Sequence, residues 1–435
     1  MIQTISGSTA RAIAASIEHA IHGGGFKPGE ALPTIRELAE NLGVSPVTVA
    51  AAYRYLQARG LIVGDRRRGS WVRPNPPSPP AVPVITPAAG LIDLASGNPD
   101  PALLPTLEGA LRSVAPATRL YGEAMELRAL VSFAASEFAA DGIGADHIAV
   151  TSGALDGIER ILREYLRPGD VVAVEDPTLP ALLDLIAASG FVAEPVPVEA
   201  DGPDPAALDA VAHRARALVI TPRGQNPTGA ALSPSRAADL RRLLRSHREL
   251  LVIENDAMGP IAGVAAATVT DGHLRWACVR SVSKFLGPDL RVALVAGDEL
   301  TIARLRGRQS LGVRWVSHIL QQCVLALWSD PAAARRLARA ADIYAQRRTG
   351  VVSALRSRGI TIETGSGFNV WVPVREETTT VQALAQRGWA VAAGERFRMR
   401  SAPGIRVTTS ALAVEEAERF AADLVEALRP SAASA

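Results

Sequence analysis

One segment of the sequence divides the chain in two. Residues 74–90, PNPPSPPAVPVITPAAG, contain seven prolines and no charged residue. Such a segment can bury little apolar surface and favours the extended polyproline II conformation, so it is typical of a linker. A chain of 435 residues is also too long for one ordinary hydrophobic core. We therefore predict an N-terminal domain over residues 1–73, a linker over 74–90 and a second domain over 91–435.

The composition excludes several classes of protein. Hydrophobic residues make up 48% and charged residues 21% of the chain, as in globular proteins. No apolar run reaches the roughly 18 residues of a membrane helix, and the N-terminus lacks a signal-peptide core. We expect a cytoplasmic protein without a membrane partner. Cys278, Cys323 and seven scattered histidines form neither a disulfide framework nor a zinc set, so we expect no metal site.

The N-terminal segment carries a basic excess and predicts two short helices. Residues 1–73 hold nine basic and five acidic side chains, whereas the rest of the chain holds 37 basic and 39 acidic ones. The basic excess of the first segment indicates a polyanionic partner. Thr34 and Glu37 form a capping-box pattern ahead of a helix that Gly43 ends. Ser45 and Pro46 then begin a second helix, whose apolar residues include valine, alanine and leucine. Two helices joined by so tight a turn predict a helix-turn-helix.

After the second helix, LIVGDRRRGSWV predicts a β-hairpin, or wing, with a basic tip. An αα-hairpin used only for packing is the alternative, but the three arginines of the tip would then repel one another without gain. The stretch LPTIRELAENLGVSPVTVAAAYRYLQARGLI resembles the winged helix of GntR-type bacterial regulators. A double-stranded DNA operator would be the partner of this domain. The side chains expected to contact DNA are Arg36, Ser45, Thr48, Arg66, Arg67 and Arg68.

Behind the linker, short apolar strands alternate with helical stretches. The predicted strands are HIAVTSG, VVAVEDP, ALVITP, LLVIEND, WACVRSVSK and VALVAGD. This alternation predicts an α/β fold with a mostly parallel sheet and helices on both of its faces. Towards the C-terminus, FNVWVPV and GIRVTTS indicate a smaller α+β lobe. In open α/β sheets ligands bind at the carboxyl ends of strands, and the turn Ser152, Gly153 and Ala154 predicts an anion site at one of them.

Lys284, in SVSKFLGPDLR, is one of only two lysines among 46 basic residues, and the other is Lys27. A lysine that forms an imine must offer a neutral amine, for which arginine is no substitute. We therefore predict imine chemistry at Lys284, with Ser281 and Arg291 close by. The Ser-x-x-Lys spacing also fits penicillin-binding enzymes, but those need a second lysine in a Lys-Thr-Gly strand, which this chain lacks.

Three segments, TPRGQNPTG, SVSKFLGPDLR and GIRVTTS, resemble fold-type I pyridoxal phosphate enzymes of the aminotransferase class. The whole chain resembles the MocR-type branch of the GntR regulators, in which a winged helix precedes such a domain. The resemblance implies pyridoxal 5′-phosphate as the cofactor and Lys284 as the residue of the internal aldimine. It also implies that Ser281, Arg291 and the Ser152–Ala154 turn hold the cofactor's phosphate.

The same resemblance gives roles to three further residues. Asn226 would hydrogen-bond the phenolic oxygen of the cofactor. Tyr121 stands where the family supplies a phosphate contact from the neighbouring subunit, which implies a domain-swapped or head-to-tail homodimer. Arg406 corresponds to the arginine that pairs with a substrate carboxylate in a bidentate manner.

Three positions depart from the pattern of the family. Where an aspartate keeps the pyridine nitrogen protonated, this chain has Asn255, and Asp256 could take that place only with a register shift. The aromatic residue that stacks on the ring falls at Leu179, and a tyrosine or histidine is replaced by Ala257. A neutral amide cannot hold the ring proton as a carboxylate does, so we expect poor carbanion chemistry. Imine formation needs none of these groups.

These observations favour a transcription regulator over an enzyme. Its aminotransferase-like domain would sense pyridoxal phosphate, alone or with an amine or amino acid, and vitamin B6 or amino-acid metabolism would be the regulated process. A working aminotransferase with a DNA-binding appendage is one alternative, and it predicts steady turnover of an amino donor and a 2-oxo acid. The other is a repressor whose C-terminal domain is a scaffold, which predicts no absorbance at about 400–430 nm on adding pyridoxal phosphate.

Overall fold

The computed structural model describes residues 5–22, 25–27, 29–58, 61–65, 69–73, 90–115, 117–270, 272–363 and 365–429. These residues form two compact units, one that begins in the N-terminal region and one that extends to the C-terminal region. In the ranges just given, every helix is too short or too polar to cross a membrane.

The first unit is a winged helix-turn-helix. Its elements are the helices α1 (Ala10–His22), α2 (Ile35–Leu42) and α3 (Pro46–Ala58) and the strands β1 (Ile62–Asp65) and β2 (Gly69–Val72). The two strands pair antiparallel, with Ile62 opposite Val72. The predicted helix-turn-helix and wing are thereby confirmed. Arg66, Arg67 and Arg68 at the predicted tip lie outside the described residues.

Local hydrogen bonds explain where α2 and α3 begin and end. The Thr34 N–H donates to Glu37 Oε2 at 2.8 Å and the Glu37 N–H donates to Thr34 Oγ1 at 3.3 Å, which is the predicted capping box. Gly43 ends α2 with a φ of 63°, in the left-handed region. Ser45 Oγ accepts from the Thr48 N–H at 3.2 Å and so caps α3. Beneath these helices lies a core that includes Ile13, Ile17, Leu38, Val49 and Leu56.

The second unit contains eleven α-helices among its described residues. They are α4 (Leu107–Ser113), α5 (Arg128–Ala140), α6 (Ala154–Tyr165), α7 (Pro180–Ala188), α8 (Pro205–Ala212), α9 (Pro234–Leu244), α10 (Glu299–Ser310), α11 (His318–Ser329), α12 (Pro331–Arg356), α13 (Glu377–Ala385) and α14 (Ala417–Leu428). Its strands are β3 (Ile92–Leu94), β4 (Ile148–Thr151), β5 (Val171–Asp176), β6 (Val192–Glu199), β7 (Gly202–Pro203), β8 (Ala215–Ile220), β9 (Leu251–Asp256), β10 (Trp276–Ser281), β11 (Ala293–Gly297), β12 (Asn369–Pro373), β13 (Trp389–Ala393) and β14 (Gly404–Thr408).

The large sheet has eight strands in the order β4-β11-β10-β9-β8-β5-β6-β7. Strands β10, β9, β8 and β5 pair in parallel, whereas β11 is antiparallel to both of its neighbours. All six strands predicted from apolar runs are present. The fold class, an α/β fold with a mostly parallel sheet behind a winged helix, is confirmed.

The smaller lobe is built on a four-stranded sheet in the order β12-β14-β13-β3. FNVWVPV and GIRVTTS supply β12 and β14, as predicted. The edge strand β3 was not predicted, because three residues are too few to show a pattern. It pairs in parallel with β13, with Ile92 opposite Trp389 and Leu94 opposite Val391. The chain therefore enters the second unit through the sheet of the small lobe.

The pairing of β9 with β10 decides which polar side chains share a face of the large sheet. Asn255 is opposite Val279, and Asp256 is opposite Arg280. Because neighbouring residues of a strand point to opposite faces, the side chains of Asn255 and Asp256 lie on opposite faces of the sheet. Both residues are buried.

Candidate functional site

A cavity of about 300 Å³ lies where β9 and β10 end, and most of the predicted cofactor residues border it. Of these residues, the ones in its wall are Ala154, Asn226, Asn255, Ser281, Lys284 and Arg291. They come from four separate parts of the sequence, so the fold brings together what the sequence only suggested. The lining is partly apolar, with Leu179, Met258 and Phe368 among its members.

Lys284 has the environment that an imine-forming lysine requires. Its Nζ donates to the carbonyl oxygen of Gly97 at 2.6 Å, and the side chain is half-buried. Burial, and after it the positive charge of Arg406, lower the pKa of Lys284 to about 8. At pH 7 about one amine in ten is then neutral, against about three in ten thousand for an ordinary lysine. The side chain can therefore attack an aldehyde near neutral pH.

The part of the cavity wall at Arg291 is suited to an anion. Gly153 has a φ of 95°, and a Cβ on it would lie 2.8 Å from Arg291 Nη2, so the guanidinium lies against the glycine turn. Arg291 itself takes a left-handed φ of 49°, which a non-glycine residue seldom adopts. Helix α6 begins at Ala154 and directs its N-terminal dipole to the same place. The Ser152 N–H, in contrast, is already used, because it donates to Asp156 Oδ2 at 3.0 Å.

Arg406, on β14, brings a buried guanidinium close enough to Lys284 to affect its pKa, although it does not line the cavity itself. Its Nη1 donates to Asn226 Oδ1 at 3.3 Å and its Nη2 donates to the Ala95 carbonyl oxygen. The buried Nε has no hydrogen-bond partner among the described residues. Burial lowers the pKa of Arg406 to about 10, against the opposing effect of Asp93. A guanidinium with unused hydrogen-bonding capacity in a dry site favours a carboxylate ligand.

Asn255, and not Asp256, faces the cavity. Asn255 Oδ1 is buried and lacks a hydrogen-bond partner in the described part of the chain, so it is available to a ligand. Asp256 accepts hydrogen bonds from Arg223 at 2.9 and 3.1 Å and from Arg280 at 2.8 Å on the other face of the sheet. A register shift that exchanged the two side chains would bury these two arginines without this carboxylate. The structure therefore puts a neutral amide where the family has a carboxylate.

Of the remaining predicted residues, two lie in the cavity wall and one, Tyr121, lies on the surface. Leu179 and Ala257 both line the cavity, so the departures from the family occur at the cavity wall itself. Tyr121 is 78% exposed, with its ring edge-on to Trp315 at 5.7 Å and under the guanidinium of Arg314. It does not border the cavity of its own chain, and its contact with a second subunit stays a prediction.

Sequence reasoning missed Gly97, which accepts the hydrogen bond from Lys284. Its φ is 69°, and a Cβ on it would lie 3.0 Å from Arg406 Nη1, so a side chain at this position would be strained and would press on Arg406. The signal in the sequence was the turn-forming run SGNPD directly after β3. Thr178, Thr221, Ser283 and Asn369 also line the cavity and were not predicted.

In the first unit, the predicted DNA contacts within the described residues are accessible. Arg36 is exposed on α2, and Ser45 and Thr48 stand at the start of α3, exposed and half-buried respectively. This is the end of the second helix that helix-turn-helix proteins insert into the major groove.

Comparisons with known proteins match the two units to two families. Residues 90–424 match the model of aminotransferase class I and II. Residues 9–72 match the bacterial regulatory proteins of the gntR family. A similar protein is the vitamin B6 salvage pathway transcriptional repressor PtsJ of Salmonella typhimurium, 41% identical over 98% of this chain and 99% of that protein.

Solved structures agree on the fold of the second unit. The kynurenine aminotransferase of Pyrococcus horikoshii, solved in complex with pyridoxamine phosphate (PMP), covers 78% of this chain and 91% of its own, with a TM-score of 0.70 and 20% identity. The α-aminoadipate aminotransferase LysN of Thermus thermophilus, complexed with N-(5′-phosphopyridoxyl)-L-leucine, covers 78% and 92% with a TM-score of 0.68 and 22% identity. The match of residues 90–424 to aminotransferase class I and II confirms the cofactor prediction, pyridoxal 5′-phosphate, at the level of the family.

The order of the two matched regions fits the architecture predicted from the sequence. A gntR-family winged helix comes first, and an aminotransferase class I and II fold follows. A relative of the same length with the function of a repressor supports regulation over turnover. The chain belongs to the MocR-type transcription regulators, in which these two domains are joined in one polypeptide.

Proposed function

We propose that this chain is a cytoplasmic, homodimeric regulator that binds an operator through residues 1–73 and senses pyridoxal phosphate through residues 91–435, with 74–90 as the linker. Vitamin B6 supply is the proposed input, since the relative PtsJ is a repressor of vitamin B6 salvage. An amine or amino acid whose carboxylate pairs with Arg406 is the proposed second component of the effector.

One observation carries this proposal: a single cavity contains a reactive amine, that of Lys284, and a neutral amide, that of Asn255, where the family has a carboxylate for the ring nitrogen. Lys284 is half-buried, has a lowered pKa and shares the cavity with Arg291, so one cavity offers an amine to an aldehyde and a guanidinium to a phosphate. Pyridoxal phosphate, when bound, supplies that aldehyde and an electron-withdrawing ring. Asn255 offers an amide instead of a carboxylate. The chain can therefore still capture the aldehyde as an imine, but the carbanion chemistry that would follow is weakened. Capture without turnover is what a sensor needs.

The contacts of Lys284 and Arg406 support a route from this cavity to the linker. Lys284 donates to the Gly97 carbonyl oxygen and Arg406 donates to the Ala95 carbonyl oxygen, and both acceptors lie just after β3. A ligand that engages either side chain competes with these hydrogen bonds. The hydrogen bonds of the segment that joins the linker to the second unit therefore differ with and without the ligand. This difference gives a basis for differential affinity for DNA.

Operator binding with the cofactor titrated in tests this proposal. The full-length protein selects its DNA from the region upstream of its own gene, and fluorescence anisotropy measures the Kd. We expect saturating pyridoxal phosphate to change the Kd by at least about fivefold, the lower end of typical allosteric coupling. Pyridoxine 5′-phosphate, which keeps the phosphate but has an alcohol in place of the aldehyde, should have little effect. An unchanged Kd with pyridoxal phosphate, or steady turnover of an amino donor and a 2-oxo acid, would contradict the proposal.

The Asn255→Asp variant should react faster with amino acids than the wild type does. A carboxylate at this position favours a protonated ring nitrogen and so strengthens the electron-withdrawing ring. We expect the visible band of the loaded protein to disappear at least about tenfold faster on adding an amino acid, as for one pKa unit at the ring nitrogen. Asn226→Asp, which adds a carboxylate elsewhere in the cavity, is the matched control. Equal rates in Asn255→Asp and the wild type would show that Asn255 does not set the ring's protonation.

A further inference from the structure

The exposed side of α3 begins with apolar and small side chains. Val47, at the second position of the helix, keeps 71% of its surface exposed, whereas Val49 on the other side is buried. Ala50 and Ala51 follow on the same turn and are half-buried. Residues 45–51 contain no amide, guanidinium or carboxylate side chain, and these are the groups that make bidentate hydrogen bonds to base edges.

The two hydroxyl groups of this segment are largely used by each other. Ser45 Oγ accepts from the Thr48 N–H at 3.2 Å, and the Ser45 and Thr48 hydroxyl oxygens are 2.8 Å apart. One hydroxyl hydrogen is consumed in that bond, so the pair keeps a single hydrogen to donate outward. The start of α3 therefore has little capacity to read bases by hydrogen bonds.

An exposed valine at this place gains stability only where it meets an apolar partner. Valine is a weaker helix former than alanine, leucine or lysine, and in water its apolar surface gains nothing. In the major groove the one apolar group that a base pair presents is the 5-methyl group of thymine. Helix-turn-helix proteins bring the N-terminal residues of the second helix against base edges.

We infer that Val47 recognises the 5-methyl group of thymine by van der Waals contact, and that the operator therefore carries thymine under the start of α3. This inference rests on the proposed function, because it needs the winged helix to bind DNA. Arg36 and Arg54, both exposed, are placed for phosphate contacts that hold the helix without reading sequence. The short side chains of Ala50 and Ala51 let the helix backbone approach the groove closely.

Deoxyuridine substitution tests the inference, because it removes the methyl group and leaves every hydrogen-bonding group of the base pair in place. The full-length protein selects a duplex from a random library, and each thymine of that duplex is then replaced in turn by deoxyuridine. We expect the wild type to lose about fourfold in affinity at one or two positions per half-site, as for burial of one methyl group. Val47→Ala should bind the thymine and deoxyuridine duplexes with equal affinity.

Two further variants complete the design. Val47→Ile, which keeps a branched apolar side chain, should retain the sensitivity to the methyl group. Val414→Ala, an exposed valine of the second unit, should behave as the wild type. Tight binding with no loss at any deoxyuridine, or an equal loss in Val47→Ala and the wild type, would overturn this inference and leave the proposed function standing. Failure of the wild type to select any duplex would overturn both.

Discussion

The Lys284→Ala variant should lose the visible band at about 400–430 nm that the wild type acquires with pyridoxal phosphate, because alanine has no amine to condense with the aldehyde. Borohydride should fix the cofactor to the wild type in a one-to-one ratio and leave the variant unmodified. The anion end of the cavity, at Gly153 and Arg291, is intact in the variant, so weak reversible binding should persist. Absorption spectra and intact-protein mass spectrometry measure both effects.

The chain offers an unusually clean control for this experiment. Lys27 is the only other lysine, it is exposed in the first unit, and Lys27→Ala should behave as the wild type in both measurements. A protein in which almost every cation is an arginine gives an aldehyde few competing amines, so the label reports on one site. Fixation that survives in Lys284→Ala and disappears in Lys27→Ala would refute the assignment of the reactive amine.

The second large effect is expected on stability, from the buried ionic cluster behind the cavity. Asp256 is fully buried and accepts from Arg223 and Arg280, and both arginines also contact Asp141 at 2.8 and 2.6 Å. In Asp256→Asn the two guanidinium groups keep only one carboxylate, which is partly exposed. Removing one partner of a buried ion pair typically costs about 3–5 kcal/mol of unfolding free energy. Urea unfolding, followed by circular dichroism, measures the loss.

A surface ion pair provides the comparison. Glu108→Gln removes the carboxylate that pairs with Arg112 on the exposed side of α4, and no measurable change is expected. Equal stabilities of Asp256→Asn and the wild type would show that the cluster contributes nothing. Burial alone would raise the pKa of Asp256, but Arg223 and Arg280 outweigh it and lower the pKa to about 2. The stabilisation is therefore complete above about pH 4 and lost as the pH falls towards 2.

The sequence predicted most of the elements that carry the site, because their signals are local. The capping box of Thr34 and Glu37 and the six apolar strands needed only neighbouring residues to be recognised. The neutral Asn255 was also recognised from the sequence, because the pattern of the family has an aspartate at this position. Each of these features is decided within about a dozen residues.

The contacts that hold the reactive groups could not be predicted in this way. Gly97 lies 187 positions from Lys284 along the chain, and Ala95 lies 311 positions from Arg406. No local pattern links residues so far apart, since only the closure of the fold brings them together. The exposure of Val47 could not be predicted either, because an apolar residue in a helix is more often found in the core.

The pairing of β3 with β13 has a mechanical consequence. Any tension on the chain ahead of Gly90 acts first on three paired residues at the edge of the small lobe. From β13 the load passes to its other neighbour, β14, and so to the strand that carries Arg406. Pulling on the chain there therefore deforms the strand that carries Arg406, and by reciprocity a carboxylate bound by Arg406, as proposed above, would stiffen this edge of the small lobe.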